Sequence, residues 1–93
     1  MKKITEKLEE IAHTAKNPSD LAKTGEAIKA IRTLVKDPKE TGAAPKEILG
    51  RLDGELEVWQ TKLSVILKEP AGREGMAKHA KHWIEELRKI NVG

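Results

Sequence analysis

The sequence contains no cysteine, no phenylalanine and no tyrosine, and only two tryptophans among its 93 residues. Without cysteine the chain can form neither a disulfide framework nor a thiolate site, and this composition suits the reducing cytoplasm, where we expect the protein to work. Without phenylalanine and tyrosine, its core must be mostly aliphatic. If both tryptophans lie in that core, no aromatic surface is left on which single-stranded nucleic-acid bases could stack.

Long hydrophobic runs are also missing. No stretch has the roughly 20 consecutive apolar residues needed to cross a bilayer, and Met1 is followed by lysines and not by the apolar run of a signal peptide. Charged residues make up 35% of the chain, but 18 basic and 15 acidic side chains leave a net charge of only +3. Because the polar faces mix both signs, we expect no membrane-surface role.

Helical periodicity is the strongest signal that is present. From Pro45 to Glu69 apolar residues recur at alternating steps of three and four, the spacing of a helix packed against another helix, and a second such series follows. The first series is Leu49, Leu52, Leu56, Trp59, Leu63 and Ile66, and the second is Met76, Ala80, Trp83, Leu87 and Ile90. The two series match when one is read backwards and the other forwards from Ala71, an alignment that we call the mirror register. It predicts an antiparallel hairpin over residues 45–90 with Trp59 level with Trp83.

A lighter hairpin is predicted for residues 3–36. The first helix carries Ile4, Leu8, Ile11 and Ala15 on one face, and the second carries Leu21, Gly25, Ile28, Ile31 and Val35. Asn17 is placed to cap the second helix, with Pro18 at its first position. The mirror register places Leu8 opposite Ile28 and Ile11 opposite Gly25.

The two hairpins define the expected fold. Residues 37–44, which have no periodic apolar face, are interpreted as a linker with a short helical turn at Asp37-Pro38. The last helix is expected to run from about Arg73 to Ile90, with a frayed tail over 91–93. The sequence therefore predicts one all-α domain over residues 1–93, a four-helix bundle of two antiparallel hairpins whose third helix is the longest.

A second stripe on the predicted third helix consists of small and β-branched residues. Its members are Gly50, Gly54, Val58, Thr61 and Val65. Each glycine inside a helix costs about 1 kcal/mol relative to alanine, so the close approach of another helix backbone is the expected compensation. Two occupants remain open: the first hairpin, which would complete the bundle, or a protein partner, including a second copy in a homodimer.

Residues that could carry chemistry are sparse. His79, His82 and Glu86 follow one side of the last helix, a spacing that could hold a transition metal, but the sequence offers no further ligand nearby. Pairing of these histidines with Glu86 explains the pattern more simply. Glu10 and His13 match one half of the carboxylate di-metal motif, whose second half is missing. With no nucleophile or phosphate-loop motif either, we expect no enzyme, metal or cofactor.

Nucleic-acid binding is the alternative function. Basic residues gather at the start of the last helix, where several phosphates could be contacted; they are Arg73, Lys78, His79, Lys81 and His82. Against this, Glu74 lies among them, and an acidic run over residues 53–57 is expected to lie near Arg88 and Lys89. We therefore expect a non-enzymatic protein–protein interaction or assembly module, with the small-residue stripe as its partner-binding site.

Overall fold

The computed structural model describes residues 1–91, and these residues form helices joined by short turns, with no strand among them. The helices are α1 (Lys2–Thr14), a 3-10 helix (Pro18–Asp20), α2 (Leu21–Leu34), α3 (Pro38–Thr41), α4 (Lys46–Thr61), α5 (Leu63–Ile66) and α6 (Pro70–Asn91). The all-α prediction is therefore confirmed. The predicted frayed tail begins at Asn91, which instead ends α6, and residues 92–93 lie outside the described part of the chain.

Helix α1 lies at the centre of the packing. All four residues of its predicted apolar face, Ile4, Leu8, Ile11 and Ala15, are completely buried. The backbone of α1 packs closely against both α2 and α6. Its apolar face, which repeats every 3.6 residues, therefore has a helical partner on each of two sides.

Asn17 forms the predicted cap in the turn between α1 and α2, but it caps the 3-10 helix and not α2, which begins at Leu21 without a side-chain cap. The Asn17 side chain accepts a hydrogen bond from the backbone N–H of Ser19 at 3.1 Å. The two helices are also joined by the hydroxyls of Thr14 and Thr24, 2.7 Å apart, and the buried Thr24 hydroxyl donates in addition to the Asp20 carbonyl. Because every buried side-chain polar atom of this pair has a partner, its burial is compatible with a stable core.

Two residues of the predicted apolar face of α2 do not pack against α1 as predicted. Leu21 is 38% exposed and does not contribute to the core. Gly25 faces α5 and not Ile11, because a Cβ atom added there would lie 3.1 Å from Cδ2 of Leu63. The mirror register for this part of the first hairpin is therefore wrong, since the chain after α4 occupies the space next to Gly25.

The predicted long helix over residues 45–69 is wrong. Helix α4 ends at Thr61, where Lys62 adopts φ −110° and ψ 19°, and the chain continues as the single turn of α5. Pro70 does not terminate a helix but occupies the first turn of α6, where its missing N–H has no helical partner to lose. The last helix, with 22 residues, is the longest, and the prediction that the third helix would be longest is also wrong.

The paired register predicted for α4 and α6 is not observed. Their backbones lie farther apart than those of α1 with α6 or α2 with α4. Side chains bridge the gap: Glu55 of α4 contacts His79 and Trp83 of α6, whereas the mirror register places it beside Leu87, one to two turns further along. Both tryptophans are buried in the same hydrophobic cluster, each 6% exposed.

The predicted linker over residues 37–44 contains the expected short helix and has a structural role. Glu40 of α3 accepts a hydrogen bond from the backbone N–H of Ile4 at 2.9 Å, and the Met1 amino group also contacts it. Since α1 has no side-chain cap of its own, Glu40 supplies one from a distant part of the chain. Among the described helices none combines the length and apolarity that crossing a membrane requires.

Candidate functional site

The outer face of α4 is the candidate partner-binding site. We define it as Gly50, Gly54, Val58 and Thr61. Gly50 and Gly54 each precede a buried leucine by two residues, which places them about 200° around the helix from the core side. A Cβ atom added at either glycine would meet nothing within 4 Å, so both backbone sites are open to solvent.

The first hairpin does not cover this face, so that alternative from the sequence is wrong. Helix α2 reaches α4 on another side, where Arg32 donates to Asp53 at 3.0 Å and to Gln60 at 2.7 Å. Val58 remains 51% exposed. Val65 is 68% exposed but belongs to α5, beyond the break at Lys62, so the predicted stripe is interrupted before its last member.

The flanks of the outer face carry charges that the rest of the chain leaves available. Lys46 and Glu57 are both exposed, and neither has an oppositely charged group within 4.0 Å in residues 1–91. They are separated by 11 residues, about three helical turns, and so lie on the same side of α4. Arg51 lies on the other flank with its guanidinium 6.0 Å from the ring centre of Trp83, directed towards α6.

The five basic residues predicted at the start of α6 do not form one cluster. Arg73 is half-buried, and its guanidinium donates to the backbone carbonyls of Leu67 and Lys68, at 2.9 and 3.3 Å. This interaction closes the turn between α5 and α6, which is a structural role. His79 is bound to Glu55. Only Lys78, Lys81 and His82 remain as exposed basic side chains without a strong partner.

Glu55 is a residue that the sequence analysis missed as an individual site. Its two carboxylate oxygens accept from the Trp83 indole N–H and contact Nδ1 of His79, both at 2.9 Å. The only signal in the sequence is its position directly before Leu56, at the edge of the buried face of α4 that Leu52 and Leu56 form. That position lets a glutamate reach across to the facing helix.

The predicted contact between the acidic run and the end of α6 is wrong. Asp53 pairs with Arg32, and this hydrogen bond raises the pKa of the Arg32 guanidinium above its ordinary value. At the end of α6, Arg88 pairs with Glu9 of α1 at 3.2 Å, and Lys89 pairs with Glu86 at 3.6 Å. Asp53, Glu55 and the two basic residues of α6 therefore have other partners, and Glu57 has no oppositely charged group within 4.0 Å in residues 1–91.

Of the two histidines expected to pair with Glu86, only His82 does so, because His79 pairs with Glu55. Nε2 of His82 lies 3.9 Å from the Glu86 carboxylate, one helical turn away. Within residues 1–91 no three histidine, cysteine or acidic side chains converge closely enough to hold a metal ion. Glu10, the carboxylate of the half di-metal motif, pairs with Lys7 at 3.3 Å instead of with His13.

A groove of about 420 Å³ runs between α1 and α6. Ala12 and Ile84 lie at its bottom, each less than a tenth exposed. The remaining residues that line it are charged or titratable: Glu9, His13, Lys16, Lys81, Glu85 and Arg88. This groove could not be predicted from the sequence, because its two walls are at least 65 residues apart along the chain.

Comparison with known proteins provides no relative from which a function could be transferred, since no family model, curated protein or solved structure matches the chain. The functional interpretation therefore rests on the surfaces described above. They comprise an open small-residue face on α4, a carboxylate that joins α4 to α6, and a charged groove beside α1.

Proposed function

We propose that this protein is a non-enzymatic protein–protein interaction and assembly module of the cytoplasm. In this proposal its four principal helices, α1, α2, α4 and α6, act as a bundle that presents the outer face of α4 to a partner, and the first partner is a second copy of the same chain. The two exposed glycines of α4 carry this proposal.

The two glycines lower the stability of α4 as a helix. Gly50 and Gly54 lie inside α4, where each costs about 1 kcal/mol relative to alanine, and nothing in the monomer uses the space they leave. A missing side chain on an exposed helix allows a second helix to approach more closely than a larger residue would permit. Val58 adds exposed apolar surface beside them, which a partner would cover.

The charges on the flank support a second copy as the occupant. If two α4 helices pack antiparallel, with Gly50 of one opposite Gly54 of the other, Lys46 of each lies almost level with Glu57 of the other. Two equivalent ion pairs then flank the glycine contact, and both use side chains that are unpaired in the monomer. Self-complementarity of this kind is what a two-fold symmetric interface requires.

The alternative function, binding of nucleic acid through the start of α6, has less support. Arg73 and His79 already have partners in the folded chain, at the α5–α6 turn and at Glu55. Lys78, Lys81 and His82 could still contact phosphates, but Glu74 and Glu85 lie on the same helix face and would repel a polyanion. A protein partner at α4 is therefore the better-supported proposal.

The test of the proposed function is the oligomeric state in solution and its dependence on Gly54. A leucine at this position places a bulky side chain where the proposal requires close backbone approach, while the open space around Gly54 leaves the monomer undisturbed. Loss of a dimer without loss of fold is the expected result.

A further inference from the structure

The groove between α1 and α6 has a feature that the proposed function does not use. At one end Lys16, in the turn after α1, and Lys81 of α6 line the same depression, and His13 lies beside them. Neither lysine has a carboxylate within 4.0 Å in residues 1–91. Two like charges facing one groove repel each other, so an anion placed between them would be stabilised by both.

The other end of the groove is neutral. There Arg88 and Glu9 form an ion pair across the two helices at 3.2 Å, and their charges cancel. Glu85 is the one remaining carboxylate of the lining. The groove therefore has one end lined by Lys16, Lys81 and His13, with Glu85 one turn beyond Lys81 on α6, and another end where the charges of Glu9 and Arg88 cancel.

Helix electrostatics explain part of this arrangement but not all of it. His13 lies in the last turn of α1 and Lys16 just beyond it, where the negative pole of the helix dipole favours cations. Lys81 lies in the middle of α6, where no helix end offsets its charge. Its position opposite Lys16 is thus unexplained by the folded chain alone.

We propose that this end of the groove is a binding site for the phosphate group of a small phosphorylated molecule. Lys16 and Lys81 neutralise the phosphate, and His13 donates a hydrogen bond to it. The body of the ligand lies over Ala12 and Ile84 towards the Glu9–Arg88 pair. The volume of about 420 Å³ suits a small molecule, whereas the carboxylate of Glu85, unpaired within residues 1–91, disfavours an extended polyanion.

The test is a nuclear magnetic resonance titration of the full chain with inorganic phosphate and, separately, adenosine monophosphate, at constant ionic strength. We expect saturable shifts concentrated at the amides of Ala12, His13, Lys16, Lys81 and Ile84. Replacing Lys81 by Gln should weaken binding about fivefold, the effect of losing one exposed ionic contact. Replacing Glu85 by Gln should strengthen binding, because it removes the only uncompensated negative charge of the lining.

Lys78→Gln is the matched control, since Lys78 is exposed on the same helix one turn earlier, does not line the groove, and loses the same charge. Its affinity for phosphate should equal that of the wild type. Shifts that do not saturate, or equal weakening by Lys78→Gln and Lys81→Gln, would show only diffuse attraction to a basic surface and would overturn the proposal. Tighter binding of a single-stranded oligonucleotide than of adenosine monophosphate would overturn it too, in favour of a nucleic-acid site.

Thermal unfolding supplies a second readout. A ligand that binds only the folded state raises its unfolding temperature. Inorganic phosphate should therefore raise the unfolding temperature of the wild type and of Lys78→Gln, but raise that of Lys81→Gln by clearly less, relative to chloride at the same ionic strength. An equal increase for all three proteins would contradict a site at Lys81.

Discussion

Glu55 of α4 and Trp83 of α6 are joined by a hydrogen bond of 2.9 Å, in which the buried indole N–H donates to the carboxylate. This bond spans the gap between α4 and α6, whose backbones do not approach closely. Its carboxylate oxygen is the sole described acceptor for the indole, so its removal leaves a polar group in a largely apolar environment.

The first prediction concerns this bond. Glu55→Ala should lower the free energy of unfolding by about 1–2 kcal/mol, because the indole N–H loses its charged acceptor. In a Trp83→Phe background the same substitution should cost clearly less, since no donor is left unsatisfied. Urea denaturation of the four proteins in this double-mutant cycle measures the coupling, and a coupling near zero would contradict the role given to Glu55.

The second prediction concerns the turn that precedes α6. A Cβ atom at Gly72 would lie 1.9 Å from the backbone oxygen of Ile66, so Gly72→Ala forces α5 and α6 apart. We expect a loss of at least about 2 kcal/mol in the free energy of unfolding. Gly75→Ala, in the same helix and with open space around it, should instead stabilise the protein by about 0.5–1 kcal/mol. Equal effects of the two substitutions in chemical denaturation would show that the close approach at Gly72 is incorrect.

The third prediction concerns the cap that Glu40 provides for α1. Burial alone would raise the pKa of Glu40, but the hydrogen bond from Ile4 and the Met1 ammonium group outweigh it, so its pKa lies below its ordinary value. Because the folded-state pKa is lowered, the ionised form stabilises the fold at pH values above the ordinary glutamate pKa. That stabilisation is lost as the pH falls through the lowered pKa.

The measurement is the difference in unfolding free energy between the wild type and Glu40→Gln from about pH 7 to about pH 3. At about pH 7 we expect the wild type to be more stable than Glu40→Gln by about 1 kcal/mol. At about pH 3 we expect this difference in stability to vanish. Glu74→Gln, which alters an exposed carboxylate of α6 that has no ion pair within residues 1–91, should change stability by less than about 0.5 kcal/mol at pH 7. A pH-independent difference for Glu40→Gln would exclude an ionic cap.

The fourth prediction concerns the antiparallel register proposed for two α4 helices. Lys46→Glu should weaken self-association about tenfold, because it places like charges opposite each other at both symmetric positions. Glu57→Lys should weaken it similarly, and the double charge reversal should restore dimerisation. Analytical ultracentrifugation measures the three dissociation constants. Failure of the double variant to recover would rule out this pairing.

The local parts of the fold are the parts that the sequence predicts well. The apolar face of α1 and the helical turn after Asp37 depend on residues close together in the chain, and both are confirmed. The Asn17 cap also forms, but on the 3-10 helix that precedes α2. The break at Lys62 has no comparable signal, because the apolar spacing continues through Leu63 and Ile66 without proline or glycine. It arises from tertiary packing, which places Leu63 against Gly25.

Pro70 illustrates a second limit of sequence analysis. A proline is common both just after one helix and at the start of the next, so its residue type alone cannot decide which of the two it marks. The same holds for the charged residues of α6. The sequence shows that they share a helix, but not that Arg73 turns back to Leu67 or that Glu55 reaches His79 from 24 residues away.

The central claim is that the outer face of α4 binds a second copy, and sedimentation equilibrium of the wild type, Gly54→Leu and Gly54→Ala tests it most directly. With increasing concentration the wild type should approach twice the monomer mass of 10.3 kDa. Gly54→Leu should remain monomeric with unchanged helicity, whereas Gly54→Ala, whose side chain is one methyl group, should still dimerise. A wild type that stays monomeric at every concentration, or a Gly54→Leu variant that dimerises as tightly as the wild type, would contradict the claim.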